Sequence, residues 1–275
     1  MVSLSISVVL YRTPTDQLDS FMDSLFNSIR ALRERHSLPS IPIFLVDNFS
    51  ESGSSSCEIW ARKYQPERID VDFHYLAGHG NIGYGRGHNL VLGQLDSDYH
   101  LLLNPDVTFD KEALNQAITI LHNNKHLKLL SPSATGLDGS KQYLCKRYPS
   151  LLTLLIRGFF SGRFEKHFNK RLFTYEMREL SEDEYTEGIF LASGCFMLVD
   201  TLAWKEVSGF DEKFFLYFED FDLSLRMGKC GKFVYAPSVR IMHAGGFASS
   251  KGLRHLYAFT LSGIRFFSKH GWRFL

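Results

Sequence analysis

Glu219, Asp220 and Asp222 lie inside the aromatic stretch FFLYFEDFDLSLR, an unusual setting for three acids. A carboxylate among Phe and Tyr loses hydration, which is costly unless it is paired or put to use. Desolvation by Phe218 and Phe221 raises a carboxyl's pKa and makes it a stronger base. That suits Asp220 to accept a proton from an attacking hydroxyl. Asp220 also stands where a helix N-cap would. Asp222 precedes Arg226 by four residues, the spacing of a helix-surface ion pair, and we read it as that pair.

Two further positions suit a cation and a phosphate. Asp106 closes Asn104-Pro105-Asp106, just past the apolar run YHLLL. A carboxylate there suits a hard divalent ion, Mg²⁺ or Mn²⁺, that bridges phosphate oxygens. The same tripeptide also makes an ordinary turn. His243 ends an apolar run and precedes Ala244-Gly245-Gly246. Glycines there let a backbone approach a diphosphate closely, although a histidine in such a place also serves structure alone. Ser249 and Ser250 follow as phosphate donors. Gly78-His79-Gly80-Asn81-Ile82-Gly83 matches the G-x-G-x-x-G dinucleotide pattern. That pattern belongs to a first strand–helix turn, whereas this one follows a third strand.

The elements that hold these residues alternate. Leu4–Leu10, ending at Tyr11, reads as a buried strand, and apolar residues from Leu18 to Leu32 recur at helical spacing over about Thr15 to Arg35. Strands follow at 42–47, 71–76 and 99–103, with a helix near Glu58 to Tyr64 between the first two. Alternation of this kind predicts a mostly parallel, Rossmann-like α/β sheet with helices on both faces. Ligands then bind beyond the carboxyl ends of the strands, where Tyr11, Asp47, Asn48, the Gly78–Gly87 loop, Asn104 and Asp106 all fall. Further on, apolar segments flank Ser193-Gly194, a short helix spans about Thr201–Val207, and two strands near 233–235 and 239–242 lead to His243. The pattern predicts one domain over 1–250 and a basic C-terminal helix over 251–275.

Composition narrows the class. The chain has 275 residues, 44% hydrophobic and 22% charged, with a net charge of +1. Nine basic residues and no acidic one follow Asp222, which points to an anionic partner such as a diphosphate or a membrane surface, or to a solvated tail. Four scattered cysteines argue against a zinc cluster or a disulfide scaffold. Met1 runs straight into a strand, and no apolar run reaches membrane-spanning length, so a cytoplasmic protein is expected. Between 151 and 173 the chain reads LLTLLIRGFFSGRFEKHFNKRLF, with Phe160, Phe164, Phe168 and Leu172 on one helical stripe among Arg163, Lys166, Lys170 and Arg171. Leu256, Leu261, Ile264 and Phe267 repeat the theme. Such stripes lie on an anionic membrane, pack on the sheet or form a homodimer interface.

Taken together, VVLY, LVDN, GNIGYGRGHN, LLLNPD, SGCFMLV, GFDEKFFLYFEDFDLSLR and HAGG resemble the family 2 glycosyltransferases, with closest likeness to the rhamnosyltransferase-like and galactofuranosyltransferase-like branches. The resemblance covers residues 4 to about 250. It implies a GT-A fold and inverting, Mg²⁺- or Mn²⁺-dependent transfer of a single sugar from a nucleotide diphosphate, thymidine-diphosphate rhamnose being the expected donor and a uridine-linked one the neighbour case. The expected acceptor is a saccharide or lipid-linked glycan, with no nucleic-acid partner and peripheral attachment to the plasma membrane's inner face. By position, the resemblance places Asp47 at the base. Tyr11, Asn48, Asn81, Gly83, Asn89 and Asn104 fall around the donor, and Asp106 and His243 at the metal. Asp220 becomes the base, with Gly194 and Glu219 on the acceptor side. Asn104 replaces the first acid of the family's D-x-D element. The processive branch's Q-x-x-R-W signature is absent. A nicotinamide-dependent oxidoreductase would use the glycine loop but leave the acidic cluster idle, and a non-catalytic nucleotide-sugar-binding module would bind without turnover.

Overall fold

Seven consecutive buried residues form β1 (Leu4–Leu10), a strand covered on both faces. The computed structural model describes residues 1–49, 70–159, 165–188, 191–245 and 252–275. The expected helix at 58–64, with Phe160, Arg163, Phe164, Ser249 and Ser250, lies outside them. In chain order β2 (Ile41–Asp47), β3 (Val71–Leu76), β4 (Tyr99–Leu103), β5 (Val107–Phe109), β6 (Leu127–Thr135), β7 (Lys141–Gln142), β8 (Cys145–Lys146), β9 (Thr186–Glu187), β10 (Leu191–Ala192), β11 (Phe196–Asp200) and β12 (Lys232–His243) follow.

The main sheet runs β3-β2-β1-β4-β11-β6-β12-β5. Strands β3, β2, β1 and β4 pair in parallel, β11 runs antiparallel between β4 and β6, and β12 lies parallel to β6. The parallel half matches the alternation in the sequence. Helix Thr15–Arg35 presents Leu18, Phe21, Met22, Leu25, Ile29 and Leu32 to one face, all fully buried. Each such side chain contributes about 1.5–3 kcal/mol. Helix Ala113–Asn123 packs beside it. On the other face Trp204 and Phe210 anchor a second cluster.

The two strands expected before His243 are one. β12 runs through Pro237, with a register shift between Ala236 and Arg240. Proline has no N–H to give the ladder, so the strand bulges there and then resumes.

Helix Gly252–His270 buries Phe266 and Phe267 against Phe214 and Phe218. Lys269 and His270 both reach Asp222 Oδ1 at 2.7 Å. Asp222 is fully buried and also accepts from Arg226 Nε at 2.7 Å, so the surface pair expected there is a buried ionic hub. Phe267 and half-buried Leu261 face the protein, which assigns that side of the C-terminal stripe to packing. Leu256, Tyr257 and Ile264 remain exposed. Leu172 is likewise buried. Among the described residues no helix is long and apolar enough to cross a membrane.

Candidate active site

Asp106 and His243 come together because β5 pairs antiparallel with the end of β12, Val107 opposite His243. His243 Nε2 lies 3.4 Å from Asp106 Oδ1, and Ala244 N donates to Asp106 O. Between them Gly245 is required. A Cβ there would stand 2.3 Å from Asp106 Oδ2 and 3.0 Å from His243 Nε2. The glycine thus leaves a cradle beside one carboxylate and one imidazole. A carboxylate and a neutral imidazole suit Mn²⁺ or Mg²⁺ whose other positions go to phosphate and water. Among the described residues no group of three His, Cys, Asp or Glu is gathered as a closed metal site. Asp106 and His243 beside Gly245 would suit a cation whose remaining positions go to a diphosphate and water.

Asp220 stands on the same rim. β11 runs antiparallel to β4, Phe196 opposite Leu103, so Gly194 and Cys195 lie beside Asn104, whose N–H donates to Cys195 O. Gly194 N donates to Asp220 Oδ2 at 3.0 Å, and Phe221 N to Asp220 Oδ1 at 2.9 Å. Asp220 is therefore not the helix cap. Phe218 occupies that position with φ 63, after Tyr217 at φ 70. Two consecutive non-glycine residues in the left-handed region cost about 1–3 kcal/mol each. Phe218's ring, packed on Phe259 and Phe266, holds the turn that delivers Glu219 and Asp220 to the rim.

Burial raises the pKa of both acids, and the charge of Asp220 raises Glu219 further. The two backbone N–H groups offset part of the rise at Asp220, while Glu219 Oε2 has no hydrogen-bond partner among the described residues. Glu219 accordingly keeps a proton more readily, and Asp220 carries the charge. Tyr84 donates to Gly194 O and is held protonated by burial and by nearby Cys195, Asp220 and Glu219.

The glycine loop is built for close packing. Added Cβ atoms at Gly83, Gly85 and Gly87 would meet Phe215 O at 2.3 Å, Phe210 Cβ at 2.8 Å and Val9 Cγ2 at 2.8 Å. The helix Tyr84–Asn89 can thus lie directly on β1 and on the turns before Glu219. His88 Nδ1 is hydrogen-bonded to Ser7 Oγ at 2.6 Å beneath it. Of the G-x-G-x-x-G match only Gly83 shares this packing, whereas Gly78 and Gly80 have open space around them and positive φ of 87 and 65. Asn48 Nδ2 donates to Gly83 O, its Oδ1 is buried without a partner among the described residues, and exposed Asn81 accepts from Gly83 N.

Asn89 ties the end of this helix to a neighbouring turn. Its amide donates to Phe210 O at 2.9 Å and accepts from Phe210 N at 2.8 Å, bracing the Gly209-Phe210 turn. Both amide atoms are thereby committed to that backbone.

At the ends of β1 and β2, exposed Tyr11 and Phe49 meet edge to face at 6.0 Å, with the Arg12 guanidinium 5.0 Å from the Phe49 ring centroid. Asp47 accepts from Phe49 N and from Tyr75 Oη. Phe49 and Arg12 escaped the sequence reading although each adjoins a residue it singled out. Gln142, which bonds His243, had no local signal at all, because its partner lies 101 positions away.

No family model matches the chain. It is similar to the N-acetylglucosaminyl-diphospho-decaprenol L-rhamnosyltransferase of Mycobacterium tuberculosis, 27% identical over 87% of this chain and 75% of that one. It is also similar to the rhamnosyltransferase WbbL of Escherichia coli, 27% identical over 62% of this chain and 63% of that one. Among solved structures, GalNAc-T7 with UDP, GalNAc and Mn²⁺ superposes with a TM-score of 0.67 at 12% identity, over 97% of this chain and 48% of the other. The chain thus spans three quarters of the mycobacterial relative and under two thirds of the other two.

Proposed function

We propose that this chain, GT-A in fold and rhamnosyltransferase-like in sequence, moves one L-rhamnosyl unit, with inversion, from thymidine-diphosphate rhamnose to a hydroxyl of a saccharide or lipid-linked glycan. The carrying observation is the hydrogen bond from Gly194 N to Asp220 Oδ2, on the rim that also holds Asp106 and His243. Residues 1–250 are the transferase domain in this reading, and 251–275 its extension.

Asp220, ionised and steadied by two N–H groups, takes the proton of the acceptor hydroxyl as that oxygen bonds to the anomeric carbon. The bond from that carbon to the diphosphate breaks on the opposite face, which inverts the centre. Glu219 and Gly194 border the acceptor. Mg²⁺ or Mn²⁺, held by Asp106 and His243, would neutralise charge on the departing diphosphate. Asn48, Asn81, Gly83 and Asn104 border the donor. Tyr11 and Phe49 offer aromatic surface to the base, with Asp47 beside them at the end of β2.

We further propose that the exposed side of helix Gly252–His270 rests on an anionic membrane, where a lipid-linked acceptor would be met. Leu256, Tyr257 and Ile264 face outward beside exposed Arg265, as do Trp272 and Phe274 beyond the helix. A nucleotide-release assay over thymidine-, uridine- and guanosine-diphosphate sugars, with Mg²⁺ and Mn²⁺, tests the reaction. Acceptor-dependent release from thymidine-diphosphate rhamnose is expected. Preference for a uridine-linked hexopyranose overturns the donor, and tight binding without turnover reduces the chain to a binding module.

A further inference from the structure

We infer that Gln142 is a positioning residue that sets the tautomer of His243, keeping the proton on Nδ1 so that Nε2 presents a lone pair toward Asp106 and the cradle beside Gly245. The inference rests on the reading of that cradle as the cation's place. Gln142 belongs to β7, which pairs with β6 at Ala134, and β6 in turn carries the end of β12. From there its amide reaches the His243–Gly245 segment with three contacts. Nε2 donates to His243 O at 2.9 Å and to Gly245 O at 3.1 Å, and Oε1 lies 2.8 Å from His243 Nδ1.

Those contacts allow one arrangement. A carbonyl oxygen only accepts, so the two carbonyls require the NH₂ end of the amide. The reversed amide would set Oε1 against two carbonyl oxygens. Oε1 must then face Nδ1, and because Oε1 also only accepts, Nδ1 must carry the hydrogen. In a neutral imidazole Nε2 is consequently bare.

An opposing pull makes this necessary. Asp106 Oδ1 lies 3.4 Å from Nε2, and a carboxylate in that place draws the imidazole proton toward itself. With the proton on Nε2, the ring would offer a cation N–H rather than a lone pair. Gln142 opposes that pull and fixes the ring's orientation through its acceptor end. Its donor end separately ties down the backbone on either side of Ala244. The two ends of one side chain therefore do separable jobs, and substitutions can divide them.

Long-range ¹H–¹⁵N correlation on metal-free, histidine-labelled protein reads which nitrogen of His243 is protonated, with His243→Asn to assign the signal. Mn²⁺ affinity with thymidine diphosphate, read from the free-ion EPR signal, gives the second measurement. Wild type should show the Nδ1–H form. Gln142→Met should shift it to Nε2–H and weaken Mn²⁺ about 10–100-fold. Gln142→Glu keeps an acceptor toward Nδ1 but sets its second oxygen against the His243 and Gly245 carbonyls, so it should retain the Nδ1–H form while the backbone clamp is lost. A wild-type proton on Nε2 overturns the inference, as does an unchanged tautomer in Gln142→Met. The Nε2–H form in Gln142→Glu also overturns it, leaving only a backbone clamp. The Nδ1–H form in wild type and its loss in Gln142→Met, without any Mn²⁺ binding, would uphold the tautomer and remove the cation reading instead.

Discussion

Gly245 lies so close to Asp106 that a single added methyl group would stand 2.3 Å from its Oδ2. Closeness of this kind means that the backbone, as well as the two side chains, shapes the cation's cradle. Gly245→Ala should therefore abolish metal-dependent donor binding as thoroughly as Asp106→Ala or His243→Ala. Calorimetric titration with thymidine diphosphate and Mn²⁺ checks this. Wild-type activity should vanish with EDTA and return with Mg²⁺ or Mn²⁺, and full activity in chelator would remove the metal from the scheme.

Asp220→Asn keeps the hydrogen-bond geometry at one oxygen but cannot take a proton. It should lower kcat by about 10²–10⁴-fold while donor affinity changes little. Steady-state kinetics paired with donor titration separates the two effects, and near-normal turnover would exclude Asp220 as the base.

Glu219 gives a stability prediction with a definite sign. Its pKa is raised in the folded state by burial and then by Asp220, so the folded protein binds its proton more tightly than the unfolded chain does. The ionised side chain then costs stability above the folded pKa, and that cost is absent below the unfolded one. Glu219→Gln should raise the melting temperature at alkaline pH, with the gain shrinking as pH falls toward the ordinary carboxylate range. Thermal melts across that span measure it, and a gain that grows in acid would contradict the assigned direction.

Contact with a membrane predicts sedimentation with anionic liposomes at low salt that weakens as salt rises. Tyr257→Glu and Ile264→Glu alter exposed positions only, so they should reduce binding without shifting the melting temperature. Absence of binding to anionic vesicles at low salt would return this face to solvent or to a second copy of the chain.

The parallel half of the sheet was legible because β1, β2 and β4 are short apolar runs that end in polar residues, and those ends fall on one rim. Asp106, His243 and Asp220, which the structure places on that rim, stood out as candidates for a related reason, each being polar at the edge of apolar sequence. The Asp222–Arg226 pair was legible from its spacing, but its burial and its further partners Lys269 and His270 were not, nor was the bond between Asn89 and Phe210, because those partners come from distant segments. Spacing along one helix carries no record of such partners. The glycine loop carried less information, since G-x-G-x-x-G reports only where side chains are missing and not what fills the space.

The ionic hub at Asp222 also bears on how the enzyme is made. Synthesis proceeds from the amino terminus, so Asp222 and the two acids beside it emerge well before Lys269 and His270. Until residue 270 exists, the catalytic helix has a buried carboxylate with Arg226 as its sole described ion-pair partner, and Phe214 and Phe218 lack their cover. The nascent chain can therefore complete the parallel half of the sheet early, while the Glu219–Asp220 segment waits for helix Gly252–His270 to dock. A ribosome-bound chain stopped short of that helix should hold donor nucleotide before it can transfer sugar, so binding competence and catalytic competence arrive in sequence.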